Sequence, residues 1–206
     1  MAIEAVVFDI GNVLVEWHPT RVFDKLLGEA RRKELFSKVD FDGMNIRSDA
    51  GHDMWDGVEA LAAAHPEDAD DIRLWSKHWI DMFEPDLPRS VRMLRALRAR
   101  GTPTYALSNF GDRTFDLGEE KFPFLKEFDQ RFISARLGVI KPDPAIYEIL
   151  ERETARDPQT LLFIDDKQEN IDAALARGWH GHQFLDEQGL ALRLIAEGLL
   201  TEEEAA

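Results

Sequence analysis

Four short segments rich in β-forming residues are each followed by a loop and then a helical pattern, and this alternation leaves few architectures open to the chain. They are Ala5 to Asp9, Thr104 to Ser108, Arg131 to Ser134 and Leu161 to Asp165, with a fifth, His182 to Leu185, nearer the end. Strands alternating with helices build a parallel sheet from right-handed βαβ units. The predicted fold class is therefore α/β.

More than 90 residues separate the first of these segments from the second, far beyond the dozen or so that a simple crossover needs. Residues from about 19 to 84 carry helical periodicity and little strand character. Ile72, Trp75, Trp79 and Phe83 recur at helical spacing, as do Trp55, Val58 and Leu61. An inserted helical cap at 16-85 on a core formed by 1-15 and 86-206 is the expected organisation, and 206 residues suit one domain with such an insertion. Trp75 and Trp79 read as the cap's own core, and the run Ala30-Arg31-Arg32-Lys33 as a solvated helix face. Leu87 to Arg100 reads as the helix returning to the sheet, with Leu94 and Leu97 inward and Gly101 as its stop. Asp143 caps a helix that has Pro144 at its first position. Further helices are expected at Gln168 to Arg177 and around Gly189 to Leu199, before a Thr-Glu-Glu-Glu-Ala-Ala tail expected to fray.

With no cysteine, the chain has no disulfide, thiolate metal site or thiol nucleophile. Residues 1–15 lack a basic n-region and no stretch reaches the roughly 20 apolar residues of a membrane span, so a cytoplasmic protein is expected. A net charge of −15 repels phosphate backbones and anionic membranes, which argues against nucleic-acid or membrane partners. Oligomeric state leaves no trace in the sequence. An anionic small substrate would need locally placed cations, and a divalent metal held by carboxylates is one source.

Asp9, Ser108-Asn109, Lys141 and Asp165-Asp166 all stand at or just after predicted core segments. In a parallel sheet the carboxyl ends of the strands face one way, so these distant residues can share a crevice. Alone, each has a plainer explanation: a turn aspartate, loop residues, a solvated lysine, a helix cap. As a set they make chemical sense. Asp9 is a candidate nucleophile toward phosphorus, giving an aspartyl phosphate. Mg²⁺ takes oxygen ligands and is held by one or two carboxylates plus substrate phosphate, a need met by Asp9 with one of Asp165 and Asp166. Ser108 and Lys141 are candidate binders of the remaining phosphate oxygens, with Asn109 beside them. The histidines show no metal-ligand spacing. His18, with Trp17, follows the first segment where a cap would meet the core, and is a candidate substrate contact.

Phe8-Asp9-Ile10-Gly11-Asn12-Val13-Leu14, Leu107-Ser108-Asn109, Gly138-Val139-Ile140-Lys141-Pro142 and Phe163-Ile164-Asp165-Asp166 with Asn170 resemble, in order, the four motifs of the haloacid-dehalogenase-like hydrolase superfamily. The first and fourth motifs resemble the bacterial glucose-1-phosphate phosphatase branch, which is itself similar to the amino-terminal phosphatase domain of soluble epoxide hydrolases. The resemblance implies a Rossmann-like parallel sheet core, a helical cap inserted after the first strand, an aspartate nucleophile and Mg²⁺. By position, Asp9 matches the nucleophile and a metal ligand, and Gly11 a carbonyl metal ligand. Ser108 and Lys141 match phosphate binders, Asp166 a direct metal ligand, and Asp165 its partner, binding metal directly or through water.

Gly11 departs from the commoner pattern, which has a general acid and base there. The loss is worth about 10²–10⁴ in rate. A good leaving group such as an anomeric oxygen would tolerate it, or another acid would replace it, Glu16 and His18 being nearest in the chain. The leading expectation is a Mg²⁺-dependent phosphatase of a small phosphorylated metabolite, a sugar phosphate among the options. The alternatives are a metal-free 2-haloacid dehalogenase, in which Asp9 attacks carbon, and a non-catalytic phosphate-binding protein.

Overall fold

The computed structural model describes residues 2–206. Its seven strands are β1 (Ala5–Phe8), β2 (Val15–Trp17), β3 (Phe83–Asp86), β4 (Thr104–Ser108), β5 (Gln130–Ile133), β6 (Leu161–Asp165) and β7 (His180–Gln183). Five of them form a wholly parallel sheet in the order β5-β4-β1-β6-β7. From β1 the chain steps outward through β4 and β5, then crosses to β6 and β7 on the other side. A crevice opens at the carboxyl ends where the winding reverses, which is where open α/β sheets bind ligands. Phe8 pairs with both Ala106 and Ile164, so Asp9 leaves the sheet level with Leu107 and Asp165.

The β1 run is continuously apolar because both faces of the sheet are covered. Alternate side chains enter different cores: Val6 and Phe8 pack on one face, Ala5 and Val7 on the other. The first face is covered by α7 (Pro88–Ala99) and α12 (Glu187–Ala196), through Met93, Leu94, Leu97, Leu190 and Leu194. On the second lie α10 (Pro144–Thr154) and α11 (Gln168–Ala176), with Ile146, Tyr147, Leu150 and Ile171. Helix α10 begins as expected, Pro144 at its first position and the Asp143 carboxylate accepting from the Ala145 N–H. Helix α8 (Asp112–Lys121) and the short α9 (Ser134–Leu137) follow β4 and β5.

Between β2 and β3 run α1 (Pro19–Leu27), α2 (Glu29–Lys38), α3 (Phe41–Asp49), α4 (Met54–Ala64), α5 (Ala69–Lys77) and α6 (Trp79–Met82). Aromatic rings hold this segment together. Phe41 stacks on Trp75 at 4.7 Å between centroids, and Trp17 meets both Trp75 (6.1 Å) and Trp79 (5.7 Å).

The insertion is entered and left through an antiparallel ribbon, Val15 opposite Asp86 and Trp17 opposite Phe83, which straddles both expected boundaries. Strands this short, one of them Phe-Glu-Pro-Asp, give no periodic signal. Three sequence expectations need correction, on the last strand, the tail and the Arg31-Arg32 face. The last strand lies at His180–Gln183, two residues early, because an edge strand of half-buried His-Gly-His-Gln lacks the apolar alternation that marks a strand. The carboxyl-terminal tail does not fray: Ala205 is buried, and Arg89 and Arg92 donate to the Ala205 and Ala206 carbonyls. Arg31 and Arg32 are not a free solvated face, since Arg31 pairs with Asp68 and Asp71, and Arg32 with Asp24.

Candidate active site

Asp9, Ser108, Asn109, Lys141 and Asp166 line one cleft at the carboxyl ends of the strands, with Gly11 beside them. Asp9 Oδ1 accepts from the Ile10 N–H (2.7 Å), the Ser108 hydroxyl (2.7 Å) and the Lys141 ammonium (3.0 Å). Lys141 is 3% exposed. Its ammonium also donates to Asp165 Oδ2 at 2.6 Å and the Leu107 carbonyl at 2.8 Å, which occupies all three of its protons. Burial works against that charge, but Asp165 and Asp9 more than offset it and hold the lysine above its ordinary pKa.

Asp165 is fully buried and does not line the cleft. Its oxygens accept from the Lys167 N–H (2.8 Å), the Asn170 amide (2.9 and 3.0 Å) and Lys141, so it anchors the lysine. Asn109 likewise faces its neighbour: its amide donates to the Lys141 carbonyl (3.0 Å) and its oxygen accepts from the Lys141 N–H (2.7 Å). Both side chains fix where the ammonium sits.

Asp9, Asp165 and Asp166 each offer a carboxylate oxygen within 4.8 Å of the others. Burial pushes Asp9 up to about 6; Lys141 and then Ser108 oppose the rise, and Asp165 and Asp166 add to it. One ammonium among three carboxylates leaves excess negative charge, which a divalent cation would offset. Asp9 Oδ2, Asp166 Oδ1 and the Gly11 carbonyl accept no hydrogen bond from the described residues. Two carboxylate oxygens and a carbonyl with room for water and phosphate form the donor set Mg²⁺ prefers.

A model of the haloacid dehalogenase-like hydrolases matches residues 3–178. The chain belongs to that family. It is 28% identical over 194 residues to a sesquiterpene phosphatase of Aspergillus oryzae, covering 93% of this chain and 94% of that one. Among solved structures, a Bacteroides thetaiotaomicron enzyme of the family in complex with magnesium and inorganic phosphate superimposes with a TM-score of 0.67 at 21% identity, covering 88% of this chain and 93% of its own. An L-2-haloacid dehalogenase from Xanthobacter autotrophicus with covalently bound chloropropionic acid gives 0.63 at 18%, covering 97% and 85%. At these identities the two structures establish the shared fold, on which more than one chemistry is built.

In this haloacid dehalogenase-like hydrolase His18 does not reach the cleft. It precedes α1, with its side chain 51% exposed and turned toward Glu16, 3.9 Å away. Glu16 is itself engaged by Arg21 at 2.8 Å. Neither residue nearest in the chain stands in for the acid missing at Gly11.

Other lining residues escaped the sequence reading. Asn12 holds a left-handed turn (φ 55°), donates to Asp166 Oδ2 at 3.0 Å and accepts from the Trp17 N–H at 2.9 Å. An asparagine directly after glycine signals such a turn. Lys167 lines the cleft with an ammonium that makes no ion pair among the described residues. The helical insertion contributes Asn45, Asp49, Trp79 and Phe83, together with Trp17, the neighbour of His18 already expected from the sequence to meet substrate; Trp79, expected only in the interior, is both buried and part of the wall.

Burial pushes the Asp49 carboxyl up to about 7; Lys167 and Lys141 pull it down and Asp9 adds to the rise. An unfolded aspartate loses its proton near 3.8, so between about pH 4 and pH 7 the folded state binds the extra proton and stability falls as pH rises. Asp49→Asn removes this penalty. In chelator, urea unfolding at pH 7 is expected to find the variant more stable than wild type by on the order of 2–4 kcal/mol, and nearly equal at pH 4. A variant less stable at pH 7 would contradict this assignment.

Proposed function

We propose that this hydrolase is a Mg²⁺-dependent phosphomonoesterase of small phosphorylated metabolites, with Asp9 as nucleophile and residues 16–85 as a cap that closes over the bound ester. The observation that carries this reading is the cluster of Asp9, Asp165 and Asp166 around the single buried ammonium of Lys141. A dehalogenase displacing halide from carbon has no use for that excess of negative charge.

Asp9, Asp166 and the Gly11 carbonyl would hold the metal. Bound there, Mg²⁺ offsets the charge of the carboxylates and of the ester phosphate. Asp9 attacks phosphorus and is phosphorylated as the alcohol departs; water then attacks the phosphoryl group and restores the carboxylate. Lys141, set by Asp165 and Asn109, keeps Asp9 ionised for its attack and holds it in position in both steps. The Ser108 hydroxyl, now donating to Asp9, can turn to a phosphate oxygen.

Trp17, Trp79, Phe83 and Phe110 form the apolar walls, with Asn45 and Asp49 as polar groups among them. Such walls accept the C–H face of a sugar, which supports a sugar phosphate, and equally a hydrocarbon chain like that of the substrate for which the Aspergillus relative is named. A panel of sugar, prenyl and alkyl phosphates chooses between them. Phosphate release from p-nitrophenyl phosphate is expected to require Mg²⁺ and to stop in EDTA. Halide release from chloroacetate that is indifferent to EDTA, with no phosphate release, would replace this reading by a dehalogenase. Phosphate binding without turnover across the panel would make the protein a binding member of the fold.

A further inference from the structure

We propose that Asp49, on the last turn of α3 in the helical insertion, is the general acid and base of the reaction, in place of the carboxylate absent from position 11. The inference rests on the phosphatase reading of the cleft.

Three carboxylates line the cleft: Asp9, Asp166 and Asp49. The first two belong to the nucleophile and the candidate metal set. Asp49 lies on the insertion side, and its Oδ2 accepts one long hydrogen bond, 3.3 Å from Asn45 one turn earlier, while Oδ1 accepts none from the described residues. It forms no ion pair among those residues, unlike Asp24, Asp68 and Asp71 elsewhere in the insertion. A partly buried carboxyl with one unpartnered oxygen facing a cleft has no structural task there.

Its backbone is tied across the boundary between insertion and sheet. The Ser134 hydroxyl, at the first residue of α9, donates to the Asp49 carbonyl at 2.6 Å and accepts from the Phe110 N–H at 2.9 Å, tying the end of α3 to the loop after β4. Burial also keeps the group half protonated near neutral pH, the condition in which one side chain serves both steps. The backbone at Gly11 is outside the left-handed region and a Cβ there would meet nothing within 4 Å. Space therefore does not explain the glycine, whereas a proton donor elsewhere in the same cleft removes the need for a carboxylate at that position.

In the first step an Asp9 oxygen bonds to phosphorus, the ester P–O bond breaks, and the Asp49 proton passes to the leaving oxygen, giving the neutral alcohol. In the second, Asp49 takes a proton from water while that water's oxygen bonds to phosphorus. The Asp9–phosphorus bond breaks, leaving inorganic phosphate, the Asp9 carboxylate and Asp49 protonated again.

The test is Asp49→Asn with two aryl esters and saturating Mg²⁺, read by stopped flow. From p-nitrophenyl phosphate, whose phenolate leaves without a proton, the variant is expected to give a burst of one p-nitrophenol per active site. Turnover then slows by about 10²–10⁴ because water activation is lost. From phenyl phosphate, whose leaving group needs protonation, the first turnover slows by a comparable factor and no burst forms. Burst amplitude counts competent sites, so misfolding cannot imitate the result. Turnover within threefold of wild type on both esters, an equal loss on both without a burst, or a change confined to KM would overturn this role for Asp49 alone. A wild-type enzyme inert toward both esters would overturn the phosphatase reading, and this inference with it.

Discussion

Asp9→Asn is expected to abolish phosphate release, a loss of roughly 10⁵–10⁶-fold, as when a catalytic nucleophile is removed from other hydrolases. Asparagine keeps the shape and one acceptor oxygen for the Ile10 N–H and the Ser108 hydroxyl, but it has no charge and is a very weak nucleophile. The substitution is expected to leave the fold intact. Burial already pushes the Asp9 carboxyl up to about 6, so removing its charge relieves a desolvation penalty while weakening one of the two ion pairs to Lys141. Turnover of p-nitrophenyl phosphate and urea unfolding of the same preparation separate chemistry from stability. A variant that kept more than about one-hundredth of wild-type turnover would remove Asp9 from the role of nucleophile.

Lys141→Met is expected to lower stability by about 3–5 kcal/mol, the range for breaking one side of a buried ion pair. Methionine has a similar length but brings no proton for the Leu107 carbonyl and no charge for Asp165, which is 0% exposed. The Asn170 amide and the Lys167 N–H would be the remaining donors to a carboxylate sealed from water. Adding Asp165→Asn to Lys141→Met is expected to recover part of the loss, because it removes the charge left unpaired. Urea unfolding of wild type, both single variants and the double variant measures this coupling. Additive losses would mean that the pair seen at 2.6 Å contributes no interaction of its own. The same variant should be inactive, since Asp9 loses the cation that keeps it ionised.

Much of this site was legible in the chain. The apolar run ending in Asp9, and the positions of Ser108 and Asp165 at the ends of later strands, follow from local periodicity, and parallel pairing then levels their ends. The four motifs carried the family because the chemistry at those strand ends depends on residue type and order. Less legible was what each polar group does. Asn109 and Asp165 face Lys141, a distinction between touching a ligand and holding the residue that does, and no spacing rule encodes it. His18 follows the first motif closely, yet the turn into α1 sends its side chain toward Glu16.

Asp49 shows where sequence reasoning stops. Nothing in Ile46-Arg47-Ser48-Asp49 sets that aspartate apart from a surface residue at the end of a helix. It belongs to the cleft because α3 packs against the ends of β4 and β5, through Ser134 and Phe110. By itself the sequence determined the α/β class, the strand-end residues and the family, since these depend on short-range periodicity and on a topology that brings all parallel strand ends to one edge. Only the tertiary structure decided which part of the helical insertion faces that edge. The packing of one element over another is set by contacts between residues far apart in the chain, such as Asp49 and Ser134, and these leave no periodic mark in it.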